Sequence, residues 1–354
     1  MHLEREKGFS LLELLIAMAV GLVIMAVAVL LFRQGIEAMD TVRQRSEMQQ
    51  NARVGINWVA QDIAQAATGI PIGGFQLPTG AGAQDPLFAC DFTGCYLPAN
   101  NNFPNDRLYG VVPGNGLGPT INGVNTDVVV VTYDDATYNL AQFPIVSATS
   151  TSITINGATN PPINDPAVGI QRGDVLSICN TNGCAAVVVT AVNNPTISFT
   201  NGDPLRFNQP AAPGGNLSSI LALPCNAPCI PETRAKRILV ISYFIDAPPG
   251  PDGVLGNADD PPYRLMRQVN AQPPVPVAET VEDFQVLYDI FDENLGVATA
   301  ALPDANGLPN QIRKATINLT VRAPRRGLFN SSFERMALTT SVTPRNMSYR
   351  DRYQ

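Results

Sequence analysis

One run of residues limits what this chain can fold into more than any other. From Phe9 to Phe32 every side chain is apolar or small except one carboxylate, Glu13. A helix over that span is about 36 Å long, enough to cross the ~30 Å hydrocarbon core of a bilayer. Arg5 and Lys7 stand before the run and predict a cytoplasmic N-terminus. No Ala-x-Ala-like cleavage site follows it, so an ordinary signal peptide is not expected. A bare carboxylate in hydrocarbon is costly, and a plain anchor has no use for Glu13.

The residues around that carboxylate, Gly8-Phe9-Ser10-Leu11-Leu12-Glu13, resemble the cleavage and methylation motif of type IV prepilins and type II secretion pseudopilins. The resemblance implies a cytoplasmic leader, residues 1–8, removed after Gly8 by a prepilin peptidase that then methylates the new N-terminal Phe9. It also makes Glu13 the assembly residue. Cleavage creates a cationic amine at Phe9, and in a packed filament core that amine needs a partner. A carboxylate about one turn along a neighbouring, axially staggered helix supplies it, neutralising two groups that are each expensive alone and setting subunit register. Glu13 can also cap its own helix, where an anion is favoured.

Beyond the apolar run, "EMQQNARVGINWVAQDIAQAAT" places Met48, Ala52, Ile56, Val59, Ile63 and Ala67 at spacings of three and four, one face of an amphipathic helix. Gly69 and Pro71 are expected to stop it. The predicted organisation is a helix over 9–68, with 9–32 crossing the inner membrane and 33–68 amphipathic, then a periplasmic β-rich domain over 69–354. Trp58 is assigned to the buried stripe or its margin, and Gly35 marks a possible bend. Residues 69–125 are rich in Gly, Pro and Asn and read as long surface loops. Strands are predicted at "DVVVVTY", "ITI", "GDVLSIC", "CAAVVVTAV", "AKRILVISYFID", "PPYRLMRQV", "VEDFQVLYDIF", "IRKATINLTVRA" and "RMALTTSVTPRN". Leu239, Ile241, Tyr243 and Ile245 alternate in β fashion. The fold class is α+β: the type IV pilin fold, a long N-terminal helix on an antiparallel sheet, with disulfide-stapled loops.

The six cysteines fall in three close pairs. An even count behind a membrane-targeting segment points to disulfides in an oxidising compartment. Fifteen connectivities are open to six cysteines, and near-neighbour pairing is the simplest: Cys90–Cys95, Cys179–Cys184 and Cys225–Cys229. Gaps of four, four and three residues fit zinc less well than the usual gap of two. In "SICNTNGCAA" the Asn182-Gly183 pair predicts a hairpin turn that brings Cys179 opposite Cys184, and so short a loop is worth about 2 kcal/mol.

The only histidine is His2. Once a leader is removed, Ser-His-Asp and Cys-His catalysis and His-ligated metal sites fall away, and no enzyme is expected. Net charge is −7, against a nucleic-acid partner. Asp246, Asp252, Asp259 and Asp260 cluster in "DAPPGPDGVLGNADDPPY". Calcium needs such oxygens on a turning loop, but the EF-hand spacing is unmet, and a solvated turn is the preferred reading. No other cofactor is expected. The Arg-rich tail from Arg322 reads mainly as a solvated rim.

The C-terminal strands, including "VEDFQVLYDI" and the basic strand around Arg313 and Arg322, resemble the larger minor pilins of the PilW type, which are similar to J-type pseudopilins. That likeness implies a minor pilin that helps initiate pilus assembly and sits at the pilus tip. The partners implied are other minor pilins, the major pilin, the prepilin peptidase and the bacterial inner membrane. The alternatives are a type II secretion minor pseudopilin and a tip adhesin.

Overall fold

A computed structural model describes residues 10–71, 73–88, 107–156, 159–221, 233–253, 260–292, 297–298, 309–326 and 333–347. Two compact units are distinguished, one of residues 1–50 with 322–336 and one of residues 51–321 with 337–354.

Helix α1, Leu11–Gln65, runs without interruption for 55 residues. It passes through Gly35 as helix, so the expected bend is no break. Every residue from Ser10 to Met39 is exposed. Burial starts at Gln44 and then follows the predicted stripe through Met48, Ala52, Ile56, Val59 and Ile63. The last predicted position is off by one: Ala66 is buried and Ala67 is not. The cause is backbone geometry. Ala67 takes a left-handed φ of 65° and Gly69 one of 69°, so the helix unwinds before the stripe's next turn. The freed end joins the sheet, with the Ala67 N–H donating to Thr132 O (2.9 Å) and the Asp134 N–H to Thr68 O (2.8 Å).

The principal strands are β1 (Val111–Gly114), β2 (Val128–Asp134), β3 (Val175–Asn180), β4 (Gly183–Val188), β5 (Arg234–Asp246), β6 (Arg264–Val269) and β7 (Val275–Glu279). With two short strands at Phe75–Gln76 and Arg107–Leu108 they form a nine-stranded sheet. β5 is its hub. Along one edge it pairs with β2 over Ile238–Tyr243. Along the other it pairs first with β3 over Arg234–Ile238 and then with β6 over Ile241–Asp246. Asn270 bridges the gap between those two neighbours: its Oδ1 accepts from Val240 N (2.8 Å) and its own N–H donates to Val240 O (2.7 Å). A second, four-stranded sheet holds Val297–Ala298, β8 (Val281–Asp292), β9 (Ile312–Arg322) and β10 (Arg335–Val342). Asp127 stitches the two sheets: its N–H donates to Phe284 O (2.9 Å), and its carboxylate accepts from Val286 N (2.8 Å). Two tight turns form a third sheet from Ile145–Thr149, Ser152–Ile155, Ala191–Asn193 and Thr196–Ser198.

One sequence expectation changes. β5 is buried at every position from Val240 to Ile245, so it has two inner faces. The reason lies in the segment read as surface loop. Phe75, Leu77, Phe88, Leu108 and Val112, together with Leu205 and Phe207, pack on the face of the sheet formed by Val128, Val130, Ile238, Val240 and Phe244. Gly- and Pro-rich composition correctly predicts little regular structure there, but it hides side chains that carry part of the core.

Helix α1 lies close to both sheets at Gly55. A Cβ on that glycine would stand 2.7 Å from Ala278 Cβ and 3.4 Å from Leu319 Cδ2. Glycine costs helix stability, and here it allows the close approach. Gly55→Val is expected to lower stability by roughly 1–3 kcal/mol, because the added methyls meet the packed side chains of Ala278 and Leu319. Denaturant melts of the detergent-solubilised full chain measure it, with the exposed Val54→Ala as control.

Candidate functional site

The start of α1 is built from its own two polar residues. Ser10 Oγ accepts from the Glu13 N–H (3.2 Å), and Glu13 Oε2 accepts from the Ser10 N–H (2.9 Å). This reciprocal pair is a capping box. Ser-x-x-Glu is the sequence signature of such a box, and the helix cap expected of Glu13 is present. Glu13 therefore serves as a cap within a single chain. It is ringed by exposed Leu11, Leu12, Leu14 and Leu15, on a helix whose 18-residue apolar window has mean hydropathy 3.1 and is wholly unburied. Gly8 and Phe9 lie outside the described residues, as do Cys90, Cys95, Cys225, Cys229 and Asp259.

Cys179 and Cys184 are joined, with a Cα–Cα distance of 4.1 Å, directly opposite each other in the β3–β4 register. The turn differs slightly from the predicted one. Gly183 already pairs with Asn180, so Thr181 and Asn182 are the two turn residues, and Asn180 Oδ1 accepts from the Asn182 N–H (2.8 Å).

Three of the four candidate carboxylates of the acidic loop are described. Asp246 is paired with Arg264 at 2.6 Å. Asp260 is buried and accepts from Gly250 N (2.8 Å) and from the Tyr263 hydroxyl. Asp252 is exposed. Among the described residues no group of three or more His, Cys, Asp or Glu side chains is arranged to hold a metal.

A polar centre that the sequence reading missed lies beneath the outer half of the helix. Asp62, only 3 % exposed, sits in the buried stripe of α1. Its carboxylate accepts from Tyr133 OH (2.8 Å), from Tyr243 OH and from Arg267 Nε (2.8 Å). Arg267 Nε also reaches Tyr243 OH (3.1 Å), and its guanidinium lies 5.1 Å from the Trp58 ring centre. Trp58 is thus at the margin of the stripe, 42 % exposed, and covers the ion pair rather than filling the core. One signal was available: a carboxylate at an apolar-stripe position, facing inward tyrosines on two strands. A second ion pair joins Arg237 to Asp135 at 2.6 Å, both 11 % exposed. Asp135 is held below the usual carboxylate range: burial pushes it up, but the Thr137 hydroxyl and N–H together with Arg237 outweigh that.

Burial pushes both Tyr133 and Tyr243 up, and the adjacent Asp62 charge adds to it. An acid raised in the folded state keeps its proton while the unfolded chain releases it. Their stabilising share is therefore complete below the ordinary tyrosine pKa and is lost as pH rises above about 10. Stability is expected to fall there by ~1.4 kcal/mol per pH unit for each buried tyrosine, and Tyr243→Phe should remove one share of the slope. Asp62→Ala should cost about 3–5 kcal/mol, since it strands a half-buried arginine and two buried hydroxyls. Urea melts across pH read both, and a slope unchanged in Tyr243→Phe would refute the assignment.

A family model, the prokaryotic N-terminal methylation motif, matches residues 4–29. No curated protein and no solved structure matches the chain. The matched segment supports a type IV prepilin-like chain, and the apolar helix is a candidate single-pass anchor. Such a motif implies, in general terms, association with other pilins and processing by a prepilin peptidase.

Proposed function

We propose that this prepilin-like chain is a minor pilin of a type IV pilus, of the PilW type, that primes pilus assembly from the inner membrane and stays at the tip. One observation carries the reading. The first thirty or so residues of α1 bury nothing, although they include the most apolar stretch of the chain. A surface of that kind has a use in lipid and, after extraction, among other helices of the same kind. The large, loop-bearing domain behind it suits a subunit present in few copies better than one repeated along a shaft.

The leader is residues 1–8, the mature terminus is methylated Phe9, and Glu13 changes partners on assembly. In the single chain it caps its own helix. In the filament it faces the Phe9 amine of a neighbour, where two charges that are each costly in hydrocarbon cancel. The domain after the span lies in the periplasm.

Mass spectrometry of the purified protein is expected to show a methylated Phe9 terminus without the leader; an intact leader in cells with a working peptidase would overturn the reading. Glutamine separates the two roles of Glu13. Glu13→Gln keeps a capping-box acceptor but no charge. It is expected to insert normally and to lose co-assembly, whereas unchanged co-assembly would leave capping as the residue's only role. A deletion strain should lose pili and keep protein secretion. Lost secretion with normal piliation would instead make the chain a minor pseudopilin, and normal piliation with lost attachment would make it an adhesin.

A further inference from the structure

Asparagine followed by glycine is the dipeptide most open to self-modification, because no side chain shields the glycine nitrogen from the asparagine amide. Among the described residues the chain has four such pairs: Asn115–Gly116, Asn122–Gly123, Asn182–Gly183 and Asn201–Gly202. The fold treats them differently. The Gly116 N–H donates to Asp127 Oδ1 at 2.7 Å. Gly183 stands in the β3–β4 ladder opposite Asn180, and the Asn182 side-chain amide donates to Ile220 O at 3.0 Å. The Gly202 N–H donates to Asn201 Oδ1 at 2.8 Å. A bond of that kind lies near the plane of the acceptor amide, whereas a nucleophile must come onto the face of the amide carbon.

Asn122 and Gly123 are the exception. They form the two-residue turn between Thr120–Ile121 and Val124–Asn125, with Ile121 opposite Val124. Their φ angles are 50° and 80°, both left-handed as a type I′ hairpin turn requires. The bond that closes such a turn joins its outer residues and leaves the N–H between them unused. Both residues are exposed. Among the described residues neither the Asn122 amide nor the Gly123 N–H has a hydrogen-bond partner. Space is open as well, since no atom stands within 4 Å of where a Cβ on Gly123 would be. Bringing the Asn122 side-chain carbon onto the Gly123 nitrogen therefore breaks no hydrogen bond.

We propose that this unencumbered turn makes Asn122 a site of self-modification, converting through a cyclic imide to isoaspartate. The Gly123 nitrogen loses its proton to solvent and bonds to the Asn122 side-chain carbonyl carbon. The bond from that carbon to the amide nitrogen breaks, and the nitrogen takes a proton from water and leaves as ammonia. Water then opens the ring at one of its two carbonyls. Opening at the backbone carbonyl leaves isoaspartate, whose main chain runs through the former side chain; opening at the other leaves aspartate. One water is consumed and one ammonia released, with no oxidant or reductant. The product adds a main-chain carbon and a negative charge to a turn built for two residues. It lies close to Asn125, whose carbonyl accepts from Gln285 Nε2 on β8 at 2.8 Å, so the mark sits beside a contact between the hairpin and the second sheet.

The test incubates the detergent-solubilised full chain at mildly alkaline pH in heavy-oxygen water. Peptide mass spectrometry follows the four asparagines, with isoaspartate and aspartate peptides separated by chromatography. Asn122 is expected to convert about tenfold faster than the other three, each of which must first give up a hydrogen bond. Isoaspartate should be the larger product, with one solvent oxygen in each product. In reducing urea the turn is lost and the four rates should converge. Equal rates in the folded chain, or a faster Asn115, Asn182 or Asn201, would overturn the proposal. Aspartate as the sole product would also overturn it, since direct hydrolysis of the side chain makes no isoaspartate. An Asn122 advantage kept in full in urea would do the same, because local sequence rather than the turn would then be its cause.

Discussion

A carboxylate placed where a helix would normally put a methyl group sets the packing of the large unit. Asp62 is among the least exposed charged groups on α1, and the sheet answers it with two tyrosine hydroxyls and an arginine. An ion buried to this degree is destabilising unless each of its lone pairs is met. Sliding the helix by one turn would carry Asp62 about 5 Å from all three donors. Apolar packing at Met48, Ile56 and Ile63 is tolerant of such a slip, whereas this constellation is not. The close approach at Gly55 reinforces it, since the backbone fits against Ala278 and Leu319 only where no Cβ intervenes.

With the helix in register, β5 can be covered on both faces. Its odd-numbered residues share the face of Tyr243, whose hydroxyl meets the helix, and its even-numbered residues meet Phe75, Phe207 and their neighbours. Three β-partners and an inserted Asn270 satisfy the backbone of this strand over its length, as a doubly buried strand requires. The Cys179–Cys184 bridge closes the β3–β4 hairpin that flanks it.

The first half of α1 obeys a different rule. Among the described residues nothing buries it, and the one acid of its membrane-length run is satisfied locally by Ser10. A reversible cap is compatible with a later change of partner, because giving up an N-terminal cap costs only about 1 kcal/mol. The same carboxylate can thus be tolerable in one setting and pair with a cation in another.

The apolar run, the prepilin-like hexapeptide, the amphipathic stripe and the longer strands could all be read from residue order alone. Each is a local pattern: an uninterrupted apolar length, a period of 3.6 or a run of β-branched residues. Ser10 and Glu13 were equally local. Asp62 was not, because its meaning depends on Tyr133, Tyr243 and Arg267, which lie 71, 181 and 205 positions away. Nor did composition show that Phe75 and Phe88 belong to a core, since a loop buries side chains according to what it lies on. A membrane-length apolar run carrying one acid follows from residue order alone, because sustained hydrophobicity is a property of consecutive residues. The register of the outer helix on its sheet came from the three-dimensional arrangement instead, because charge pairing and close packing depend on distances that no spacing along the chain encodes.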